Sequence, residues 1–410
     1  MPRFVSRYGL MLSATLIALG TGAAAAAPAQ AASTWSTPTA LPAGVGSAAF
    51  AENASGAQVA VTGAGPQVSY SANGQTWSAP VTVSTGGSGA AVALSANGRA
   101  IVVWDGGTAT APVLQASVMP PGGTWGAPVT IGALTAGARA PLVGMDGSGD
   151  AIVAWAGSTG SKEKGPVYTA SLPAGGSWTA VQAVEPASLA GSVIRLVVNS
   201  AGSAIISWSE QDTVVADSGT ILGGFGAPVT VGMALQYEDI PKVTSLAMNS
   251  AGQAVMSYVI QGNFGMAATR TASGSWSVSR LACSDAGDPA IDGAGDALVI
   301  CEGTNAEGDA TYDATRLTAG GSWATPVELT SDEILSSAAA ADAAGTFVVT
   351  LQDFTAGAAT VFTSPPGGSF GTPAAFSGYG VADLTMAATG HATLVLSNSS
   401  GDFESTESVK

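Results

Sequence analysis

The chain has 410 residues, of which 55 are glycine and only 10% are charged. Its formal net charge at pH 7 is −16, so the surface should repel nucleic acids and anionic lipids. A chain that combines many glycines and short apolar runs with few charged residues is typical of all-β proteins, and it is too apolar to be disordered.

The first 31 residues have the pattern of a secretory signal peptide. Arg3 and Arg7 precede an apolar run from Leu10 to Leu19, and Ala29-Gln30-Ala31 is a small-x-small cleavage site. The apolar run is too short to span a membrane, and no later stretch reaches the ~18 apolar residues that a spanning helix needs. We therefore expect export to the periplasm or the extracellular space, no membrane span, and a single mature domain at residues 32–410.

Two landmarks alternate along the mature chain. The first is a turn of the form Gly-x-Ser/Thr-aromatic, whose aromatic residue stands at Trp35, Trp77, Trp125, Trp178, Phe225, Trp276, Trp323 and Phe370. The second is a small-polar-Gly turn that precedes an apolar strand, with its glycine at Gly56, Gly98, Gly149, Gly202, Gly252, Gly295, Gly345 and Gly390. Glycine at this place supplies the positive φ that tight hairpins need.

Each repeat unit is therefore predicted to contain four short strands. Strand A ends at the polar-Gly turn, B is the apolar run after it, C follows, and D starts at the aromatic residue. Four strands repeated every ~40–50 residues indicate the blade of a β-propeller. Eight copies of each landmark predict eight four-stranded antiparallel blades, and seven blades is the alternative.

The order of the landmarks also predicts how the ring closes. The mature chain begins with a D strand, from Thr34 to Leu41, and ends with an A strand (Val381 to Ala388), a B strand (His391 to Ser397) and a C strand (Asp402 to Val409). We expect the N-terminal strand to pair with the C-terminal strand and complete the last blade, because this pairing removes a bare sheet edge.

The turn Ser71-Ala72-Asn73-Gly74-Gln75-Thr76-Trp77 resembles the Asp-box (BNR repeat) of bacterial neuraminidases, Ser-x-Asp-x-Gly-x-Thr-Trp. The resemblance implies a sialidase-like propeller with this turn between strands C and D. In that family the box is structural, so the resemblance implies the fold rather than an activity. The aspartate is missing from the clear copies, where the residues are Ala72, Pro120, Pro173 and Thr271.

No catalytic set emerges from the sequence. Sialidases resemble one another in using three arginines, a Tyr–Glu nucleophile pair and an acidic Asp, whereas Arg99 and Arg270 are predicted beside turns on the face opposite the long loops. A Ser-His-Asp triad would need His391, which we expect at a solvated turn, and no Gly-x-Ser-x-Gly elbow accompanies it. We expect a non-catalytic protein. A glycoside hydrolase, which needs only two suitably spaced carboxylates, is the alternative.

Acidic residues concentrate in the predicted B–C and D–A loops, which share one face of a propeller. The candidate ligand-binding residues are Asp105, Glu210, Asp212, Glu238, Asp239, Glu302 and Asp353. Loops on a rigid scaffold commonly carry function, so we expect this acidic face to bind an extracellular glycan or protein. The competing interpretation is that acids simply accumulate in solvated loops. The carboxylates could hold Ca²⁺, but no loop has a calcium-motif spacing, and we expect neither a resident cofactor nor a dedicated metal site. The protein is expected to be a monomer.

Aromatic and cysteine residues complete the candidate set. Trp104, Trp155, Trp208 and Tyr258 end consecutive B strands, where they either stack on sugars or pack between blades. Leucine replaces them at Leu351 and Leu396, which favours packing. Cys283 and Cys301, the two cysteines of the chain, are expected to form a disulfide that staples one D–A crossover.

Overall fold

The computed structural model of the protein describes residues 34–41, 49–61, 65–134, 141–157, 165–185, 190–210, 212–233, 241–260, 264–398 and 402–409. Every regular element in these ranges is a β-strand, so the described chain has no helix that could cross a membrane. The strands form eight separate antiparallel sheets arranged in a ring, which makes the fold an eight-bladed β-propeller. The prediction of eight blades is confirmed, and the seven-bladed alternative is wrong.

The strands of each blade follow one another in the order A, B, C, D from the axis outwards. Blade 1 contains Ala49–Glu52, Gln58–Val61, Gln67–Ser71 and Val81–Thr82. Blade 2 contains Ser88–Leu94, Ala100–Thr108, Ala111–Met119 and Val129–Ala133. Blade 3 contains Leu142–Met145, Ala151–Ala156, Val167–Leu172 and Gln182–Glu185. Blade 4 contains Ala190–Val198, Ser203–Glu210, Thr213–Thr220 and a divided D strand, Gly224–Phe225 and Val229–Met233.

The remaining blades repeat the plan. Blade 5 contains Lys242–Met248, Ala254–Ile260, Phe264–Arg270 and Trp276–Arg280. Blade 6 contains Ala286–Ile291, Ala297–Thr304, Ala310–Leu317 and Val327–Thr330. Blade 7 contains Ile334–Ala341, Phe347–Asp353, Ala358–Ser364 and Ala374–Ser377. Blade 8 contains Tyr379–Met386, Ala392–Asn398 and Phe403–Val409, with Thr34–Trp35 and Thr39–Ala40 as its D strand.

The ring closes through blade 8. Thr34 pairs with Val409 and Trp35 with Ser408, and the backbone N–H of Leu41 donates to the carbonyl of Phe403 at 2.8 Å. The predicted closure is therefore confirmed. The predicted signal peptide at residues 1–31 lies outside the described residues.

In five blades the D strand begins later than the sequence predicted, whereas in blade 5 it begins at Trp276 as predicted. In blade 2 the strand starts at Val129 rather than at Trp125, and in blade 6 it starts at Val327 rather than at Trp323. Proline precedes both valines, and proline has no backbone N–H to donate to strand C. The aromatic residue therefore lies in the C–D turn, and the ladder resumes after the proline.

The A–B turns link neighbouring blades around the axis. The Oδ1 atom of Asn249 accepts the backbone N–H groups of Ala251 and Gln253, at 3.1 and 3.0 Å, and Gly252 closes the turn at a φ of 77°. The Nδ2 of Asn249 donates to the carbonyl of Asp292 in the next blade at 2.8 Å. Seven blades place a polar residue here: Asn53, Ser95, Asp146, Asn199, Asn249, Asp292 and Asp342. Blade 8 has Ala387 instead.

Large aromatic residues fill the wedges between blades. Trp104, Trp155, Trp208 and Tyr258 are each at most 1% exposed. The ring of Trp104 belongs to a core shared with Val59 of blade 1, and that of Tyr258 to a core shared with Val214 of blade 4. A fully buried ring has no face for a sugar, so the packing interpretation is confirmed.

Candidate ligand-binding surface

The sequence-predicted site residues are spread around the loop face. Asp105 lies in blade 2, Glu210 and Asp212 in blade 4, Glu302 in blade 6 and Asp353 in blade 7. Glu238 and Asp239 lie outside the described residues. Of the described residues, only Glu302 and Asp353 come from adjacent blades.

Several of these carboxylates bind groups of their own chain. Glu210 Oε2 accepts the indole N–H of Trp208 at 3.4 Å. Asp105 is partly buried, and its Oδ1 has no hydrogen-bond partner among the described residues. Burial raises the pKa of Asp105 to about 7, because the charged form is poorly solvated there. Asp105 therefore contributes little negative charge for recognition below neutral pH.

A disulfide bond fixes the loop corner of blade 6, which is the place where the D–A crossover from blade 5 meets strand B of blade 6. Cys283, in the D–A crossover, is disulfide-bonded to Cys301 on strand B. The residues that follow the two cysteines are also hydrogen-bonded. The N–H of Ser284 donates to the carbonyl of Glu302 at 2.7 Å, and the N–H of Glu302 donates to the carbonyl of Asp285 at 2.9 Å. The crossover is thus fixed against strand B at the position of two carboxylate side chains, those of Asp285 and Glu302.

The two carboxylates of this corner interact with each other. Desolvation raises the pKa of Asp285, the negative charge of Glu302 raises it further, and Lys242 of blade 5 opposes the shift. Glu302 Oε1 accepts the hydroxyl of Tyr312 at 3.0 Å, and the same hydroxyl lies 3.3 Å from the carbonyl oxygen of Ile334. Tyr312 therefore connects Glu302 to the start of blade 7.

Blade 7 presents two apolar side chains at this edge. Leu335 is 45% exposed and Phe354 is 56% exposed. Ile334 pairs with Asp353 and Ser336 with Gln352, which leaves Leu335 as the extra residue of a β-bulge. A bulge re-aims the side chain of its extra residue, and here Leu335 is turned away from the core while Ile334 stays buried.

Asp353 holds Phe354 in place. The Oδ1 atom of Asp353 accepts the N–H groups of Thr355 and Ala356 at 2.6 and 2.7 Å. The N–H of Phe354 donates to the carbonyl of Glu333 at 2.7 Å. Asp353 is therefore a turn-capping residue that fixes the backbone carrying Phe354, and its predicted ligand-binding role stays a prediction.

We call the loop face of blades 6 and 7 the acidic–apolar surface, defined by Asp285, Glu302, Asp332, Glu333, Leu335 and Phe354. Between residues 281 and 398 the basic residues are Arg316 and His391, and both lie towards the opposite face. Among the described residues, Lys242 of blade 5 opposes the negative charge of this surface through its effect on Asp285. Of these six residues, the sequence analysis named Glu302 as a candidate; Asp285, Asp332 and Glu333 belong to the acidic D–A loops, and the pattern did not point to Leu335 or Phe354.

The opposite face uses its arginines to fasten turns. The guanidinium groups of Arg99, Arg270 and Arg316 donate to the carbonyls of Gly149, Gly252 and Gly368, respectively. Each arginine binds a different turn, so they do not converge as a carboxylate clamp. Across the described ranges, no group of three or more His, Cys, Asp or Glu side chains could hold a metal ion.

His391 is less solvated than we expected. Its side chain is 34% exposed, and its ring lies between the carboxylates of Glu52 and Glu407. His391 lies at the end of the A–B turn as expected, but blade 1 covers one side of its ring and leaves the side chain only partly exposed.

Two further carboxylates lie on A strands, where Asp383 is buried and Asp288 is partly buried. Desolvation raises the pKa of Asp288 in blade 6 to about 6, although the hydroxyls of Ser245 and Ser337 bind its charged form and oppose the shift. Desolvation likewise raises the pKa of Asp383 in blade 8 to about 7. Both residues lie at β-bulges, which direct side chains away from the regular alternation.

Comparison with known proteins relates the chain to other propellers. No protein-family model matches the sequence, and no curated protein matches it significantly. The solved structure of the Dos1 propeller has a TM-score of 0.59 at 11% identity, with 91% of this chain and 94% of that chain covered. YCF48 bound to D1 peptide has a TM-score of 0.52 at 13% identity, with 97% and 98% covered. A Hadza microbial sialidase, at a TM-score of 0.40, 11% identity and 73% of each chain, is too distant to support an argument about activity. Similarity at these identities shows the propeller fold alone.

Proposed function

We propose that the protein is an exported, non-catalytic propeller that serves as an extracellular or cell-surface binding scaffold. Its ligand, a glycan or a protein, binds the acidic loop face. The observation that carries the proposal is the difference between the two faces of the ring. On one face, turn side chains bind neighbouring blades to one another, and on the other the exposed acids Asp285 and Asp332 accompany the exposed Leu335 and Phe354.

Several polar side chains at the A–B and C–D turns bind neighbouring turns. Asn199 and Asn249 bind the turns of the following blades, and Arg316 binds a backbone carbonyl. On the acidic–apolar surface, by contrast, Asp285, Asp332 and Phe354 are exposed. Exposed apolar groups rimmed by charge on a rigid scaffold are characteristic of interaction sites.

The comparisons are compatible with a binding role. YCF48 is a propeller whose structure contains a bound D1 peptide, so a fold of this general kind accommodates a peptide ligand. The sequence features of residues 1–31 support export, which places the ligand outside the cytoplasm.

A glycoside hydrolase is the second candidate, and the interaction between Asp285 and Glu302 favours it. Two carboxylates whose charges act on each other can divide acid and base roles. If the protein is a hydrolase, it should release reducing ends from an extracellular polysaccharide, and Asp285→Asn should abolish that release. Absence of release across a polysaccharide panel would support the binding scaffold.

The proposal is tested by comparing variants of the two faces. The full chain is produced with its own N-terminal segment, and the exported fraction is purified. Asp285→Asn with Asp332→Asn removes two charges from the loop face, and Asp150→Asn with Asp296→Asn removes two from the opposite face. Asparagine keeps the acceptor oxygen that Asp150 and Asp296 offer to the N–H groups of Ala174 and Ala319.

Binding is measured on an extracellular glycan array and on intact cells. We expect the loop-face variant to lose binding and the opposite-face variant to retain it. Equal behaviour of the two variants, or retention of the protein inside the cell, would contradict the proposal.

A further inference from the structure

We infer that the acidic–apolar surface binds a peptide segment in which lysine or arginine flanks an apolar side chain. The inference rests on the proposed function and names the ligand class for that site. It depends on two independent features, the exposed apolar side chains Leu335 and Phe354 of blade 7 and the four acids of the surface, which Lys242 of blade 5 offsets only in part.

Phe354 has the properties of a binding anchor. Its ring is 56% exposed although the backbone that carries it is fixed by three hydrogen bonds, two to the Asp353 carboxylate and one to the carbonyl of Glu333. An aromatic side chain on a fixed backbone loses little conformational entropy when a ligand covers it. Leu335 is a second exposed apolar residue, two positions after Glu333, whose carbonyl binds the N–H of Phe354.

The charge around these side chains selects the partner. Asp285 and Asp332 are exposed, and Glu302 lies beside Asp285 in the corner fixed by the disulfide. Across blades 6 and 7, Arg316 is the one basic residue, and its guanidinium binds Gly368 at the opposite face. Charge complementarity therefore favours a cationic ligand and disfavours acidic glycans and anionic lipids.

A peptide matches both features better than a neutral glycan does. A short peptide can contain a lysine or arginine beside an apolar residue. The basic side chain can then pair with the carboxylates while the apolar side chain contacts Phe354. A neutral glycan would leave the carboxylate charge uncompensated, and its binding would depend little on salt.

The probes are three synthetic peptides that share a Gly-Ser background. The first contains Lys-Phe-Arg, the second Lys-Ser-Arg and the third Glu-Phe-Glu. Affinity for the purified full chain is measured by fluorescence anisotropy at low and high salt. We expect the first peptide to bind and the third not to bind. The affinity of the second should be at least about tenfold lower than that of the first. Added salt should weaken the first interaction.

Variants of the protein complete the test. Phe354→Ser and the pair Asp285→Asn with Asp332→Asn should each weaken binding of the Lys-Phe-Arg peptide about tenfold, and the opposite-face pair Asp150→Asn with Asp296→Asn should not. Circular dichroism checks that every variant is folded. Equal binding of the three peptides, or binding unaffected by both loop-face variants, would overturn the inference. Self-association that Phe354→Ser abolishes would also overturn it, because the surface would then belong to a second copy.

The inference and the proposed function fail in different ways. If an array glycan binds and the loop-face pair abolishes that binding while no peptide binds, the peptide inference is wrong and the binding scaffold stands. If neither glycan, cell nor peptide binding depends on the loop-face residues, both are wrong.

Discussion

The imidazole Nδ1 of His391, just before strand B of blade 8, lies 3.1 Å from Oε1 of Glu52, the last residue of strand A in blade 1. The Nε2 of the same ring lies 3.4 Å from Oε2 of Glu407. The Glu52 side chain is 1% exposed, and its other oxygen accepts the hydroxyl of Thr385 at 3.0 Å. The seam between the last and first blades thus contains a histidine held between two carboxylates.

We predict that this link makes closure of the ring depend on pH. The hydrogen bond to Glu52 raises the pKa of His391 above its ordinary value of 6.5. The stabilisation is therefore complete below about pH 6.5 and is lost as the pH rises through the higher pKa of the folded state. His391→Gln should lower the free energy of unfolding by about 1–3 kcal/mol at pH 5.5 and by much less at pH 9.

Urea unfolding at the two pH values measures the effect. Asp296→Asn, at the equivalent position of blade 6, is the control and should show no such difference. If His391→Gln destabilised the protein equally at both pH values, the protonated link would not be the cause.

The carboxylates with raised pKa values predict that the free energy of unfolding falls as the pH approaches neutrality. The pKa values of Asp105 and Asp383 are raised to about 7, and that of Asp288 to about 6. Because the folded state holds protons that the unfolded chain releases, stability should decrease as the pH rises from about 4 to about 7. Mutual repulsion at a net charge of −16 acts in the same direction.

Asp383→Asn isolates one of these groups. Asparagine keeps the acceptor that binds the N–H of Leu384 at 2.8 Å and removes the titration. We expect a higher melting temperature at pH 8 and a flatter dependence on pH, measured by thermal unfolding. Exposed Asp332→Asn is the control, and a flattening of the same size in that variant would contradict the assignment.

The turn side chains predict a reciprocal pair of variants. Asn249→Ala removes two hydrogen bonds to backbone N–H groups of the turn, one to the Gln253 side chain and one to blade 6, and should lower the free energy of unfolding by about 1–2 kcal/mol. Ala387→Asn adds the missing side chain in blade 8, and should raise it by about 1 kcal/mol. Urea denaturation measures both, and a destabilising Ala387→Asn would show that this turn is not equivalent to the others.

The disulfide in the crossover predicts a local stabilisation. Cys283 and Cys301 are 18 residues apart, and closing a loop of this size is worth about 3 kcal/mol in the chain-entropy model. We expect Cys283→Ser with Cys301→Ser to lower the urea midpoint, and reductant to lower that of the unmodified protein equally. A midpoint unchanged by both treatments would mean that the backbone hydrogen bonds alone hold the corner.

The ring could be predicted from the sequence because its determinants are local and recur eight times. The glycine of each A–B turn and the aromatic residue of each C–D turn act within a few residues, and repetition makes them visible. The position of Leu335 could not be predicted in this way. A one-residue bulge reverses the face of that side chain, and an apolar residue beside the buried Ile334 is otherwise expected in the core.

The roles of the acids depend on partners that local patterns do not contain. Asp353 and Glu302 have the same chemistry and lie at similar places in adjacent blades. One caps a turn and the other accepts a tyrosine hydroxyl, according to which groups the fold brings near. The partner of His391 is 339 residues away in the chain, so its burial becomes visible only when the ring is closed.

Closure through the pair Thr34 and Val409 has a mechanical consequence. The two strands are antiparallel, so the outer end of each lies at the same end of their shared ladder. Tension applied through these two ends would load the hydrogen bonds one after another, as in unzipping, rather than all together, as in shearing. We expect blade 8 to peel open at low force, before any of the seven other blades is strained.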